Sequence, residues 1–413
     1  MSRPRQVVTS LLVSACLVGA TTWAAGRASH IESGAVASER ATRVTPRTVP
    51  DAPARIVGYF PSWGIYERGS EVADIHVDLL THVNYAFADL DGGRCVVGDP
   101  WADVERPLPS DDPSLPYRGN FNQLQVLKQR HPGLRTVLSV GGSTWSAGFA
   151  DAASTDAKRS ELAASCVELV ERYGFDGLSI DWEYPSSAPE RADLTDLLRE
   201  LRRRFDVVEA SGAGERLLTL AGPAGAQNMA WFDIAAIAPI VDWVNVMTYD
   251  FAGPWSPATG HNSALYPYDE AEDPTFNIES ALGRWNRAGM PKSKLHVGLP
   301  FYGRGFGGVT SAIPGASFTA TPQGTTEPGL FDYSHLLTDV LPGLEVRYDE
   351  AARVPYAYDA DADVFYSFDD ERSIEEKARF AMTAGYAGVL VWDLSNDTDD
   401  GALLAAANRG VQS

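Results

Sequence analysis

The chain has 413 residues, 44% of them hydrophobic and 22% charged, an ordinary balance for a globular protein able to bury a large core. Fifty-five acidic against 34 basic residues leave a formal net charge of −21, which argues against a nucleic acid or an anionic membrane surface as partner and points to a neutral substrate. Three cysteines and seven histidines show no Cys-x-x-Cys or His-Glu-x-x-His spacing, so neither a metal nor a cofactor is expected.

Arg3 and Arg5 precede an apolar run from Val7 through Ala25 that ends in small residues, the pattern of an export signal over residues 1–25 with cleavage near Ala24. Val13-Ser14-Ala15-Cys16 also fits lipoprotein processing, which would anchor the chain at the cell surface through Cys16. The apolar run continues past that cysteine, so a secreted, extracellular monomer is the preferred reading. Residues 26–53 are rich in Ser, Thr, Ala, Arg and Pro without periodicity and read as a flexible linker. Export would permit a Cys95–Cys166 disulfide. Cys166, however, lies on the apolar stripe Leu162, Cys166, Leu169, Val170, Tyr173 of a helix, and buried thiols without a disulfide are expected.

A folded domain is expected over residues 54–410. Eight short apolar runs recur: Ile56–Phe60, His82–Phe87, Thr136–Val140, Gly177–Trp182, Leu217–Ala221, Trp243–Thr248, Leu295–Leu299 and Gly388–Trp392. Amphipathic segments separate most of them, over Phe121–Arg130, Ala157–Tyr173, Glu190–Val208, Phe276–Ala288 and Ile374–Ala384, with a capping box from Ser187 to Glu190 opening the third. Strands alternating with helices predict parallel strands and a closed (β/α)8 TIM barrel. Two irregular stretches interrupt the rhythm: a loop rich in Pro, Asp and Gly over Asp91–Asn120, and residues 306–364, whose strand-like pieces at Leu344–Tyr348 and Val354–Tyr358 suggest a small α+β insertion between strands 7 and 8.

The most informative segment is Phe175-Asp-Gly-Leu-Ser-Ile-Asp-Trp-Glu-Tyr-Pro185. Its period of two sends Leu178, Ile180 and Trp182 to one face and Ser179, Asp181 and Glu183 to the other. Two carboxylates therefore stand together at the C-terminal end of a strand, where parallel barrels keep their active sites. Acid/base work on a glycosidic bond fits that pair.

The segment Asp176–Glu183 resembles the Asp-x-x-Asp-x-Asp-x-Glu signature of family 18 glycoside hydrolases, the chitinases. Ser139-Val140-Gly141-Gly142, Met247-Thr248-Tyr249-Asp250-Phe251, Leu299-Pro300-Phe301-Tyr302-Gly303-Arg304 and Gly388-Val389-Leu390-Val391-Trp392 resemble that family's third-, sixth-, seventh- and eighth-strand motifs, in order and at barrel spacing. The resemblance implies hydrolysis of chitin or chito-oligosaccharide with Glu183 as proton donor and the substrate's own 2-acetamido oxygen as nucleophile. It gives Asp181 the task of orienting the acetamido group and Tyr249 that of bonding its carbonyl. It makes Trp392 the floor of the cleaving subsite, with Asp250, Arg304, Tyr59, Phe87, Trp145 and Met247 contacting sugar, and Asp176, Ser179 and Ser139 in support. Trp63, Trp101 and Trp255, in loops or at strand ends, are further stacking candidates, whereas Trp182, Trp231, Trp243 and Trp285 are assigned to packing.

Two positions depart from the family pattern. Ser143 follows the glycine pair where many relatives carry Trp, and Ser179 stands where the signature has its middle Asp. Without a like charge at position 179, Asp181 is expected to ionise more readily than in relatives with both carboxylates, and Ser179, Tyr59 and Ser139 are expected to supply compensating hydrogen bonds. Two other activities fit the same chemistry or scaffold: an endo-β-N-acetylglucosaminidase acting on glycoprotein glycans, and a chitin-binding lectin. The presence of Glu183 speaks against the lectin.

Overall fold

A computed structural model describes residues Ala54–Ser413; the expected signal, linker and Cys16 lie outside the described residues. Eight parallel strands close a barrel: β1 (Arg55–Pro61), β2 (His82–Asp91), β3 (Arg135–Gly141), β4 (Gly177–Asp181), β5 (Leu217–Pro223), β6 (Trp243–Met247), β7 (Leu295–Pro300) and β8 (Gly388–Trp392). Each pairs with the next, and β8 returns to β1 with Arg55 opposite Gly388 and Gly58 opposite Val391. The apolar runs locate every strand to within two residues except β2, which continues four residues past Phe87.

Helices cover the outside: α1 (Gly119–Arg130), α2 (Asp156–Tyr173), α3 (Ala188–Val208), α4 (Ile278–Arg287), α5 (Glu371–Thr383) and α6 (Ala402–Gln412). Leu178 and Ile180 of β4 join the large core that also takes Leu194, Leu197, Leu198, Leu201 and Phe205 of α3, as their alternation with Ser179 and Asp181 requires. The α3 terminus differs slightly from the expected box. Ser187 accepts the Glu190 N–H at 3.3 Å, but the Glu190 carboxylate takes the N–H of Ser186 at 2.9 Å, one residue further back than a capping box would.

The stretch Asp91–Asn120 is more ordered than its composition suggested. A strand over Arg94–Val97 folds back antiparallel on β2, with Leu90 opposite Cys95, and a helical turn follows at Trp101–Glu105. Acidic side chains tie the loop down internally: Asp99 accepts the Ala102 N–H, Asp103 accepts the Asp99 N–H and the buried Tyr85 hydroxyl, and Asp111 accepts the Leu108 N–H.

The hairpin also overturns the expectation of free thiols. It lays Cys95 on α2, where its N–H bonds Ser165 Oγ at 2.9 Å, and Cys95 and Cys166 form a disulfide with a Cα separation of 5.0 Å. The stripe containing Cys166 is buried as expected, but its neighbour is a strand that hydrophobic periodicity does not mark.

Between β7 and β8 an antiparallel sheet runs in the order Leu330–Asp332, Tyr302–Gly307, Val364–Ser367, Val354–Asp359, Val346–Asp349. It has its own small core around Phe331, Leu336, Ala357 and Tyr366. The sheet begins at Tyr302, immediately after β7, so Arg304 belongs to it rather than to the barrel.

The disulfide spans 71 residues of chain, for which loop-closure entropy gives roughly 4 kcal/mol, and native bridges commonly deliver about 2–5 kcal/mol. Urea unfolding of Cys95→Ala/Cys166→Ala should therefore show a loss of about 2–4 kcal/mol, matched by the wild type under reducing conditions; equal midpoints for all three would contradict the bridge.

Candidate active site

β4 carries its alternation into the mouth of the barrel. Ser179 is wholly buried, Asp181 is 4% exposed, and Glu183, two residues past the strand, is half-buried. The glycine pair after β3 shapes this ending. Gly141 and Gly142 have φ of +103° and +83°, and a Cβ on Gly141 would lie 2.4 Å from the Asp181 carbonyl oxygen, a contact no other residue tolerates. The Gly142 N–H donates to that carbonyl at 2.8 Å. Ser146, just beyond, has its hydroxyl 2.9 Å from the Asp181 carbonyl and accepts the Glu183 N–H at 2.9 Å, fixing the backbone from which both carboxylates project.

Burial decides the charge state of this pair. It pushes the Glu183 carboxyl up to about 7, with the Asp250 charge adding to the rise and the neighbouring Tyr184 hydroxyl opposing it. Asp181 is raised too, by burial first and then by Glu183. The absence of a carboxylate at Ser179 therefore does not leave Asp181 easily ionised: Glu183 supplies the like charge instead. The expected compensating hydrogen bonds are also not made directly. Tyr59 receives the Asn245 side-chain N–H at 3.1 Å, while Ser139 Oγ, Ser179 Oγ and Asp181 Oδ1 have no protein partner.

Aromatic rings gather at the C-terminal end of the barrel. Trp392, the last residue of β8, meets Tyr59 edge-on at 5.3 Å, stacks against Phe87 at 5.8 Å and lies 6.4 Å from Trp63. Trp145 packs 6.5 Å from Phe87, extending the strip toward β3. Phe87 sits at the irregularity in β2 where the register with β3 shifts between Ala86 and Ala88. Non-proline cis bonds occur at Ala86–Phe87, Glu183–Tyr184 and Trp392–Asp393, each at the site end of a strand. Trp101 is 50% exposed, and among the described residues no ring contact joins it to this strip. Trp182, Trp243 and Trp285 are buried, as their packing assignment expects.

Met247 ends β6 opposite Pro223. Beyond it, Tyr249 meets Tyr302 edge-on at 6.1 Å, and burial raises its phenol well above the ordinary value, keeping it a hydrogen-bond donor. Asp250 adopts a left-handed φ of +57°, and Arg304 reaches across from the insertion sheet to hold its carboxylate through Nε at 2.8 Å and a terminal nitrogen at 2.7 Å. The same guanidinium lies 5.0 Å from the ring of Trp255, which is 61% exposed. Asp176 is not part of this assembly. It precedes β4 at the opposite end of the barrel, where burial is outweighed by Lys128 at 2.7 Å, the Thr136 N–H at 2.8 Å and Arg135 at 3.2 Å, which hold its carboxyl below the usual range.

Comparison with known proteins bears on what this arrangement is. The model of the family described as Glycosyl hydrolases family 18 matches residues 55–397. Chitinase A1 of Niallia circulans is 38% identical over 83% of this chain, which spans 56% of that protein's length. A Bacillus thuringiensis chitinase structure superposes with a TM-score of 0.81 at 32% identity, covering 87% of this chain and 70% of that one. Human YKL-39, described as a pseudo-chitinase with retained chitooligosaccharide binding properties, superposes with a TM-score of 0.78 at 25% identity over 87% of this chain and 100% of its own. The chain belongs to glycoside hydrolase family 18.

For this family 18 chain, sequence reading missed the residues that arrange the site without carrying its signature. Ser146 had a detectable signal, lying four residues after the Gly141-Gly142 pair in a turn. Asn262, which accepts the Asp250 N–H and donates to the Tyr302 carbonyl, lies in a loop with no periodicity to mark it. Asn84, Thr219, Asn245 and His296 are polar residues inside four strands and look in sequence like breaks in apolar runs.

Because Glu183 is raised in the folded state from 4.5 to about 7, the fold favours its protonated form, and stability is lost as pH rises from about 4.5 through 7. Glu183→Gln removes that penalty. Its unfolding free energy, read from urea titrations, should match the wild type near pH 4 and exceed it above pH 7 by an amount on the order of 1–3 kcal/mol; a difference independent of pH would contradict the shift.

Proposed function

We propose that this family 18 chain is a chitinase, hydrolysing β-1,4 bonds between N-acetylglucosamine units with retention of configuration. The observation that carries the reading is Glu183: a carboxyl at the barrel mouth, beside the aromatic strip around Trp392, that keeps its proton near neutral pH. Such a group suits a general acid. The flat indole of Trp392, with Phe87, Trp63 and Trp145, suits the apolar C–H face of a pyranose. Asp250, Arg304, Tyr59 and Met247 would contact the sugar around it.

Glu183 would protonate the glycosidic oxygen as the bond from that oxygen to the anomeric carbon breaks. The acetamido carbonyl oxygen forms the new bond to carbon, giving an oxazolinium ion. Asp181 would accept the acetamido N–H and face the positive charge, and Tyr249 would donate to the acetamido oxygen and hold it below the anomeric carbon. Water then attacks from the leaving-group side and gives its proton to Glu183, which restores the acid. Export through residues 1–25 and action outside the cell belong to the same proposal; the Cys95–Cys166 disulfide supports it, since such bridges persist in oxidising compartments.

The test is chitohexaose hydrolysis and binding by wild type and Glu183→Gln, beside a glycoprotein carrying N-glycans. Wild type should cleave chitohexaose, and the variant should keep its affinity but lose about 10²–10⁴ in turnover. Near-normal turnover by the variant would reject Glu183 as the acid. Binding without cleavage by wild type would favour the lectin, and glycan release in place of oligomer cleavage would favour the glucosaminidase.

A further inference from the structure

Beneath the acid pair the barrel interior is polar, where parallel barrels ordinarily place branched apolar side chains. Asn84, Ser139, Ser179 and Thr219 come from the consecutive strands β2, β3, β4 and β5. Register sets Ser139 opposite Ser179 and Ser179 opposite Thr219, so these hydroxyls stand roughly 4.8 Å apart at the backbone. All four side chains are fully buried. Across the barrel, Asn245, His296 and Tyr59 bond one another, with His296 Nε2 alone of the three side chains' polar atoms left without a protein partner: Asn245 donates to Tyr59 and its oxygen lies 2.9 Å from His296 Nδ1. The β2–β5 arc does not. Asn84 Nδ2 and Oδ1, Ser139 Oγ, Ser179 Oγ, Thr219 Oγ1 and Asp181 Oδ1 have no hydrogen-bond partner within the protein.

Six buried polar atoms left unpaired at adjoining levels of the barrel interior would cost more than an ordinary domain has to spare. Groups of this kind are normally satisfied by ordered water, each molecule making two to four bonds. Six atoms and that valence require at least two waters. We propose that the arc of Asn84, Ser139, Ser179 and Thr219 binds ordered water, and that this water hydrogen-bonds Asp181 Oδ1, making Ser179 and Ser139 positioning residues for the acid pair. The catalytic part rests on the function proposed above.

The pair needs such a donor. Asp181 lies deeper than Glu183, so burial alone would put a shared proton on Asp181, whereas catalysis requires it on Glu183. The titratable groups facing Asp181 are Glu183 along its own chain, Tyr59 from β1, Tyr184 after β4 and Tyr249 after β6. None is a cation. Asn84 and Ser179 face the Tyr59 hydroxyl without closing a bond to it. Water donating to Asp181 favours its ionised form and leaves the proton on Glu183.

The tests are a high-resolution crystal structure of the wild type and pH profiles of kcat/KM on chitohexaose for Ser179→Ala, Ser139→Ala and Ser179→Thr, each with its melting curve. Density should show at least two waters bonded to the arc, one of them to Asp181. The acidic limb of both alanine variants should move up by about one pH unit, a tenfold loss on that limb, with the basic limb unchanged, and Ser179→Thr should restore the wild-type profile. Superimposable acidic limbs in folded alanine variants would overturn the positioning role, and an arc without water in the density would overturn the site. If wild type failed to cleave chitohexaose, the function proposed above would fail with the positioning role, and the density would still decide the water site.

Discussion

Closure of the barrel is the constraint on which the site depends, because it turns the two-residue period of one strand into a gradient of depth. Every second side chain of β4 must enter the same interior, so Ser179, Asp181 and Glu183 occupy successive levels from the core to the mouth. Desolvation falls along that line. The same carboxylate chemistry is therefore presented at two depths, one group almost enclosed and the other reaching solvent. Enclosure first, and then the like charge of a neighbouring carboxylate, raises the pKa of each.

The surroundings of β4 are built to keep that gradient. The glycines after β3 let two strand ends touch, and Ser146 takes the N–H of Glu183, so the acid projects from a backbone secured on both sides. On the other wall, the left-handed backbone at Asp250 and the clamp from Arg304 join the end of β6 to the insertion sheet. The insertion is thus more than a wall beside the cleft. It supplies the cation that holds Asp250, whose charge in turn helps keep the Glu183 proton in place.

Much of this was legible in the sequence. Alternating apolar runs and amphipathic segments specify a parallel barrel because few other architectures bury both, and the Asp181–Glu183 spacing places two carboxylates on one face whatever the rest does. What escaped was information carried between segments. The strand Arg94–Val97, four residues within a loop rich in Pro, Asp and Gly, is too short to announce itself, so the approach of Cys95 to Cys166 could not be foreseen from the stripe on α2. Asp176 opens the signature but lies at the other end of the barrel, since five residues of strand span roughly 17 Å. Asn84, Ser139, Ser179, Thr219, Asn245 and His296 appear in sequence as six isolated interruptions, and only register brings Ser139, Ser179 and Thr219 side by side and sets Asn245 opposite His296. Position 179 depends on surroundings in the same way: with no like charge there, burial and the charge of Glu183 still raise the Asp181 carboxyl.

The central claim is that Glu183 supplies a proton while the substrate supplies the nucleophile. It is tested most directly by following chitohexaose and its fully deacetylated counterpart by proton NMR during the first minutes of reaction with wild-type protein. The acetylated oligomer should release products whose new reducing ends are β, with α appearing only at the rate of mutarotation, and the deacetylated oligomer should remain uncleaved for want of the attacking oxygen. Products appearing first as the α anomer, or comparable cleavage of the deacetylated chain, would contradict it.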